Sequence, residues 1–296
     1  MREYLSPLEM KPGSWAWRVH TNQLVGDTLD AAIRMHYADP EKLTLAEYVL
    51  YGQMCQAYLH GPAVEALRFR KNDSVDDCHG ALIWSYSEPW GETGWSLLDY
   101  YLRRKPSYYW VRRANAPIKV IVRRRGDELA TRLVNDTLNP VAGAVEYGWW
   151  RLDGAKRETQ LLKVGIGPNA MQELAREKIP SADERDPRQW LYASVLQDAA
   201  GTVVDQSIWL LETHRKLALG APKIKMVRLA DGVLEISSPL FAHAVHTEDY
   251  GREFVSDNWF DLLPGVPVRV RPAAGVKADT IRWSPVLGQP RADSLY

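Results

Sequence analysis

The chain has only two cysteines and four phenylalanines in 296 residues, and no net charge: 37 Lys plus Arg balance 37 Asp plus Glu. Cys55 and Cys78 belong to no CxxC pair or Cys/His array, which argues against a zinc site. Two reduced, partly buried thiols are expected instead. Charge neutrality removes any bulk argument for nucleic acid or an anionic membrane as partner. No run of about 18 apolar residues is present, so no membrane-spanning helix is expected. The opening MREYLSPLEMKPG has no apolar core of a secretory signal, and the chain as it stands reads as cytoplasmic. Gly165-Ile-Gly167 lacks the third glycine and the following helix of a dinucleotide loop. His243 and His246 have a metal-like spacing with no third ligand in view. Neither a cofactor nor a metal is expected.

What the chain does have is 12 Trp and 14 Tyr. Indole and phenol bury apolar area yet keep a polar handle, which suits half-wet surfaces such as sugar sites and interdomain seams. They concentrate in Gly80–Pro117, where four tryptophans and five tyrosines fall within 38 residues. A short apolar run, Ala81-Leu82-Ile83, delivers Trp84 and Tyr86 to a polar turn with Glu88 and Glu92. Aromatics and carboxylates gathered at a strand end fit a surface that grips sugar rings, and the same aromatics equally fit packing.

Three regions emerge along the chain. Residues 1–25 read as irregular. Leu29, Ile33 and Tyr37 at four-residue spacing predict a helix over 27–37. Thr44-Leu-Ala-Glu47 is a capping box that opens a longer helix to about Arg70, with Gly61-Pro62 inside it. A strand over 80–86 and a helix over 96–114, interrupted at Pro106, complete an α/β piece at 1–117. One buried parallel strand has nothing to pair with, so this piece is expected to be incomplete alone, like the end of a (β/α)8 barrel. After Pro117 short alternating runs take over, with turns at Gly126-Asp127 and Asp231-Gly232. They predict one β-sandwich at 118–216 and a second, smaller one at 217–296. MQELAREKIPSADERDPRQ, being polar, is expected as loop or short helix. Asn135-Asp136-Thr137 fits a glycosylation sequon but is better explained as turn chemistry.

GALIWSYSEPWGETGWSLLDYYLRRKPSYYWVRRANAP resembles the last barrel strand and helix of family 2 glycoside hydrolases, in their β-mannosidase-like branch. That place carries a Trp-containing strand, a W-P or W-G turn, then W-S-x-x-D-Y-Y and K-P-x-Y-Y. WAWRVHTNQ, LAEYVLYGQMCQAYLHGPAVEALR, VNDTL and FVSDNWFDLLPG agree in the same order, so the resemblance covers nearly the whole chain. It departs at Ser87-Glu88, where Asn-Asp is usual, which bears on sugar specificity. The resemblance implies a fold of α/β plus all-β: the C-terminal fragment of a (β/α)8 barrel followed by two immunoglobulin-like β-sandwiches. It implies a retaining exo-glycosidase with two glutamates, an acid/base and a nucleophile, both expected upstream of residue 1. Glu3, Glu9, Glu41, Glu47 and Glu65 sit in loop or helix patterns and match neither. No catalytic residue is therefore assigned to this chain, which is expected to be inactive alone, with carbohydrate as its ligand and an upstream chain completing the barrel. The location of any longer enzyme is left open.

Within this frame Trp84 is the expected sugar platform and Glu88 a carboxylate that bonds sugar hydroxyls. Trp90, Trp17 and His20 are expected to line the pocket. Asp99, Arg103, Arg104 and Lys105 read as a charged helix face. The alternative function is a non-catalytic carbohydrate-binding or interaction protein that uses the sandwiches.

Overall fold

The computed structural model describes residues 6–9, 11, 13–21, 26–92, 94–248 and 254–287. Glu3 and the Asn22-Gln23 end of WAWRVHTNQ lie outside them. Four helices come first: α1 (Trp15–Val19), α2 (Gly26–His36), α3 (Leu45–Phe69) and α4 (Pro106–Ala114). The short α1 falls where irregular chain was expected; Ser14 starts it by accepting the Trp17 N–H at 3.1 Å. The capping box of α3 is formed: Glu47 Oε2 accepts the Thr44 N–H at 2.9 Å, and Thr44 Oγ1 accepts the Glu47 N–H at 3.3 Å. Helices α2 and α3 share a core of Ile33, Tyr37, Tyr51, Met54 and Ala57. Helix α4 crosses α3 at Gly61, where a Cβ would stand 3.0 Å from Trp110 Cβ. Among the described residues no helix is long and apolar enough to cross a membrane.

Two expectations for the α/β piece do not hold. Residues 80–86 form no strand, and Leu82 is 104% and Trp84 83% exposed. The physical reason is the one anticipated, since a single strand has no neighbour to satisfy its ladder. Just beyond this segment, Ser87 makes a parallel bridge with Leu98. Nor does a helix begin at 96. Leu98 instead bridges Arg104, and the helix starts at Pro106, whose fixed φ and missing N–H suit a first-turn position.

The rest is β-sheet, all of its strand pairs antiparallel. Strands β1 (Ile118–Arg125), β2 (Glu128–Asn135) and β5 (Ala170–Lys178) form one sheet in the order β1-β2-β5. Strands β3 (Val141–Arg151), β4 (Arg157–Ile166), β6 (Trp190–Asp198) and β7 (Val203–Leu210) form another in the order β4-β3-β6-β7. The two pack face to face through Val120, Leu133, Val145 and Leu196, and through Val122, Leu129, Trp149 and Tyr192. The other face of β1-β2 is covered by Phe69 at the end of α3. Covered on both faces, β2 is buried from Leu129 to Asn135, with Thr131, Arg132 and Asn135 among its buried residues. Strand β5 corrects the expectation of loop or short helix.

Asp205 and Ser207 of β7 accept the N–H groups of Val120 and Val122 on the free edge of β1, at 2.9 and 3.0 Å. Lys119, 2% exposed, adds a buried ion pair to Asp205 at 2.9 Å and one to Glu65 of α3 at 3.4 Å. Burial opposes the Lys119 charge, but the Asp205 and Glu65 carboxylates outweigh it and hold the ammonium above the usual lysine value.

Beyond β7 lie a 3-10 turn at His214–Lys216, β8 (Lys225–Arg228), β9 (Leu234–Ser237), β10 (Ala242–Val245), β11 (Phe260–Leu262) and β12 (Val268–Val270). Strands order as β12-β9-β8, with β10-β11 a separate pair. Their core is Leu234, Ile236, Val245, Phe260, Leu262 and Val270. Trp150, Leu191 and Val195 of the four-stranded sheet pack on Phe241, Leu263 and Val266. The Asp257-Asn258-Trp259 segment grips α4: Arg113 donates to Asp257 at 2.7 Å and to Trp259 O at 2.8 Å, and Trp110 Nε1 donates to Trp259 O at 2.8 Å.

Candidate functional site

The loop from Trp84 to Lys105 carries most of the expected site residues, and three anchors shape it. Backbone bonds come first: Leu97 N–H to Ser85 O at 3.2 Å, Leu98 N–H to Tyr86 O at 2.9 Å and Lys105 N–H to Leu97 O at 3.0 Å. Gln56 on α3 is the second; its Nε2 donates to Ser96 O at 2.9 Å and Gly94 O at 3.3 Å, while its Oε1 accepts from Ser107 Oγ at 3.2 Å. The third is Glu88. Its side chain is 3% exposed and is ion-paired to Lys105, with Ser96 Oγ donating to the same carboxylate oxygen. Lys105 Nζ reaches Ser96 Oγ at 3.0 Å.

Glu88 is thus held within the loop by its two partners. A buried carboxylate with a buried cation and a hydroxyl as partners is a brace. Glu92 differs: burial, reinforced by the nearby Glu88 charge and opposed by Lys105, lifts its carboxyl above the usual range. Both glutamates, with Gln56 and Trp17, line one end of a cavity of about 1910 Å³ that runs along α3.

Trp84 is 83% exposed and Tyr86 62%, so both rings are open to solvent. The Trp84–Ser85 peptide is cis. Trp90, 49% exposed, stacks on His20 with ring centroids 4.4 Å apart, and His20 Nδ1 bonds Gly91 O. His20 thereby ties the end of α1 to the loop. Trp17, one turn earlier, is 6% exposed and packs with Ala16, Leu45 and Tyr48. The structure therefore brings His20 and Trp90 together, leaves Trp84 open, and places Trp17 and Glu88 inside.

Sequence reasoning missed Gln56, Ser96 and Lys105. Lys105 read as part of a charged helix face, yet that face does not exist. Asp99 instead caps a turn, accepting the Tyr101 and Arg103 N–H groups at 2.9 Å each and pairing with Arg103 Nε at 2.6 Å. The other glutamates have local roles: Glu9 accepts from Ser6, Glu41 pairs with Arg34 and Glu65 with Arg123. His243 and His246 engage Asp261 and Ala244 O rather than each other. Asn135 is fully buried; it donates to Asn139 O and Gly167 O and accepts the Thr137 N–H, which is turn chemistry. Cys55 and Cys78 are free thiols, and burial pushes Cys55 up to about 12.

Comparison with known proteins gives this geometry a setting. Residues 127–215 match the family described as Mannosidase Ig/CBM-like domain. Beta-mannosidase B of Aspergillus terreus is 31% identical over 222 residues, 68% of this chain and 26% of that protein. Beta-mannosidase B of Thermothelomyces thermophilus is 26% identical over 228 residues, 69% of this chain and 26% of that protein. The chain thus spans about a quarter of the length of the curated relatives it matches. The crystal structure of beta-D-mannosidase from Dictyoglomus thermophilum superposes with a TM-score of 0.82 at 23% identity, over 96% of this chain and 35% of that one. An exo-chitosanase from Amycolatopsis orientalis superposes with a TM-score of 0.65 at 20% identity, over 90% and 36%. In sequence and in its sheet-dominated fold, this chain resembles the β-mannosidase-like family 2 glycoside hydrolases and fits their C-terminal portion.

Proposed function

We propose that the chain supplies one aromatic wall of the sugar site in a retaining, β-mannosidase-like exo-glycosidase, and that its β units brace the catalytic barrel from outside. Residues 1–117 are the C-terminal part of that (β/α)8 barrel, 118–216 an immunoglobulin-like sandwich and 217–296 a smaller one. The observation that carries this reading is the open indole of Trp84 on a loop fixed from beneath by Glu88, Lys105, Ser96 and Gln56. A flat ring held still at low entropic cost is what stacking against a pyranose requires. Trp90, stacked on His20, is a second half-exposed aromatic of the same loop. Glu88 positions the loop through Lys105 and Ser96.

Hydrolysis with retention needs two carboxyl groups about 5–5.5 Å apart across the scissile bond, one of them free to attack. Glu88 is engaged by a cation and a hydroxyl, so the nucleophile and the acid/base come from outside this chain, from the upstream part of the barrel. Saturation-transfer NMR with methyl β-mannoside tests the wall directly. Transfer to the sugar is expected from the whole chain and is lost in Trp84→Ala, with an unchanged urea midpoint. Transfer that survives in Trp84→Ala, or that persists in a segment starting at residue 118, refutes it and favours sugar binding by the sandwiches.

A further inference from the structure

Three imidazoles meet where the helices touch both β units. His36 closes α2, His214 opens the 3-10 turn after β7, and His243 lies on β10. His36 Nδ1 faces His214 Nδ1 at 3.2 Å, and the His214 and His243 ring centroids are 4.1 Å apart. His243 is fully buried and His214 is 2% exposed. His243 is fixed at both nitrogens, with Nδ1 2.9 Å from Asp261 Oδ1 and Nε2 2.9 Å from Tyr37 Oη. His243 thus bridges Asp261 and Tyr37. The facing nitrogens of His36 and His214 share one hydrogen: one donates, the other accepts. Among the described residues, His214 Nε2 is buried without a hydrogen-bond partner.

The surrounding titratable groups offer this pair little counter-charge. Helix α2 adds Tyr37, stacked on His214 at 5.7 Å. Helix α3 adds Tyr51 and Cys55 near Tyr37, and Tyr58, whose ring is 4.9 Å from both His36 and His214. Helix α4 presents Trp110, which does not titrate. Strand β11 adds Asp261, whose Oδ1 already accepts from His243 and from the Ala244 N–H at 2.8 Å. Arg123 of β1 acts on Tyr58. At the rim Arg34 and Arg215 pair with Asp39.

We propose that the His36–His214–His243 cluster is an acid-sensitive latch: neutral, it fastens α2 to the 3-10 turn and β10, and a proton gained by His36 or His214 releases α2. On the accepting ring that proton would set two N–H groups against each other, and on either ring it would bury a charge with no carboxylate of its own. Burial, aided by His243, holds His36 below its ordinary value; burial, with His243 and His36, holds His214 well below it. Once α2 undocks, both rings return to about 6.5. A folded-state value below the open one means the fastening is complete above about pH 6.5 and is lost as pH falls. Between pH 7.5 and 5.5 the opening equilibrium rises about tenfold if His214 alone gains the proton, and by at most roughly a hundredfold if His36 does so too.

Hydrogen exchange of the full chain, corrected for intrinsic pH effects, reads this opening. Exchange in residues 28–37 is expected to rise by one to two orders of magnitude from pH 7.5 to 5.5, while β6 stays protected. His36→Gln is expected to reduce the rise to about tenfold or less, and His246→Gln, a buried histidine outside the cluster, to leave it intact. The proposal fails if exchange in 28–37 is flat with pH, if it rises only in step with β6, or if His246→Gln removes the response. The wild-type comparison of the two segments decides the matter even if His36→Gln does not fold.

Discussion

Lys119→Met tests how α3 is joined to the paired sheets. The ammonium, 2% exposed, lies 2.9 and 3.2 Å from the Asp205 oxygens, 3.2 Å from Gln206 O and 3.4 Å from Glu65. Methionine keeps most of the apolar stem, so the cavity contribution is small. What goes is the only cation that touches Asp205 among the described residues; Glu65 keeps Arg123 at 3.0 Å. Removing one member of a buried pair costs about 3–5 kcal/mol, because the other charge stays buried without a partner. That is a large share of the ~5–15 kcal/mol that holds a typical protein folded. Urea unfolding followed by tryptophan fluorescence measures it. Lys119→Met combined with Asp205→Asn should recover at least half the loss, since the substituted amide can still accept the Val120 N–H and carries no charge. A loss below about 1 kcal/mol for the single variant, or strict additivity in the double, would refute the reasoning.

Other consequences can be checked singly. Gly61→Ala places a methyl 3.0 Å from Trp110 Cβ; about 1–3 kcal/mol of overpacking outweighs about 0.5–1 kcal/mol of helix propensity, so the thermal midpoint falls. A rise would mean that α3 and α4 are less closely packed than described. His246 is buried against Trp259, ring centroids 4.0 Å apart, and burial lowers it to about 4. Its depressed value gives stability that is present above about pH 6.5 and lost as pH falls toward 4, roughly 2–3 kcal/mol by pH 4.5. The gap between His246→Gln and wild type in urea should therefore narrow by that amount from pH 7 to 4.5; a constant gap contradicts it.

Local chemistry made much of the fold legible. The α3 capping box, the Gly126-Asp127 hairpin and the alternating runs of β3, β6 and β7 are written in adjacent residues. Strand β5 was not, because it is an edge strand: Met171 and Leu174 support the core, while Glu173 and Arg176 pair at i,i+3 spacing and imitate a helix. The apolar run 81–83 promised a strand, but strand formation depends on a neighbour, which no residue of the run encodes. At the site, the aromatic cluster stood out from composition alone. Its bracing did not: Lys105 meets Glu88 across seventeen residues of irregular chain, and Gln56 reaches the loop from another helix. The contact between Tyr37 and His243 spans 206 positions. Such pairings are set by packing rather than by periodicity, so a sequence pattern cannot show them.

The most direct test of the central claim is the initial rate of 4-nitrophenyl β-D-mannoside hydrolysis by the purified chain. If the chain provides a wall of the sugar site but neither catalytic carboxylate, release of nitrophenol does not exceed the buffer rate. Turnover by the chain alone, abolished by Glu88→Gln, would contradict the account.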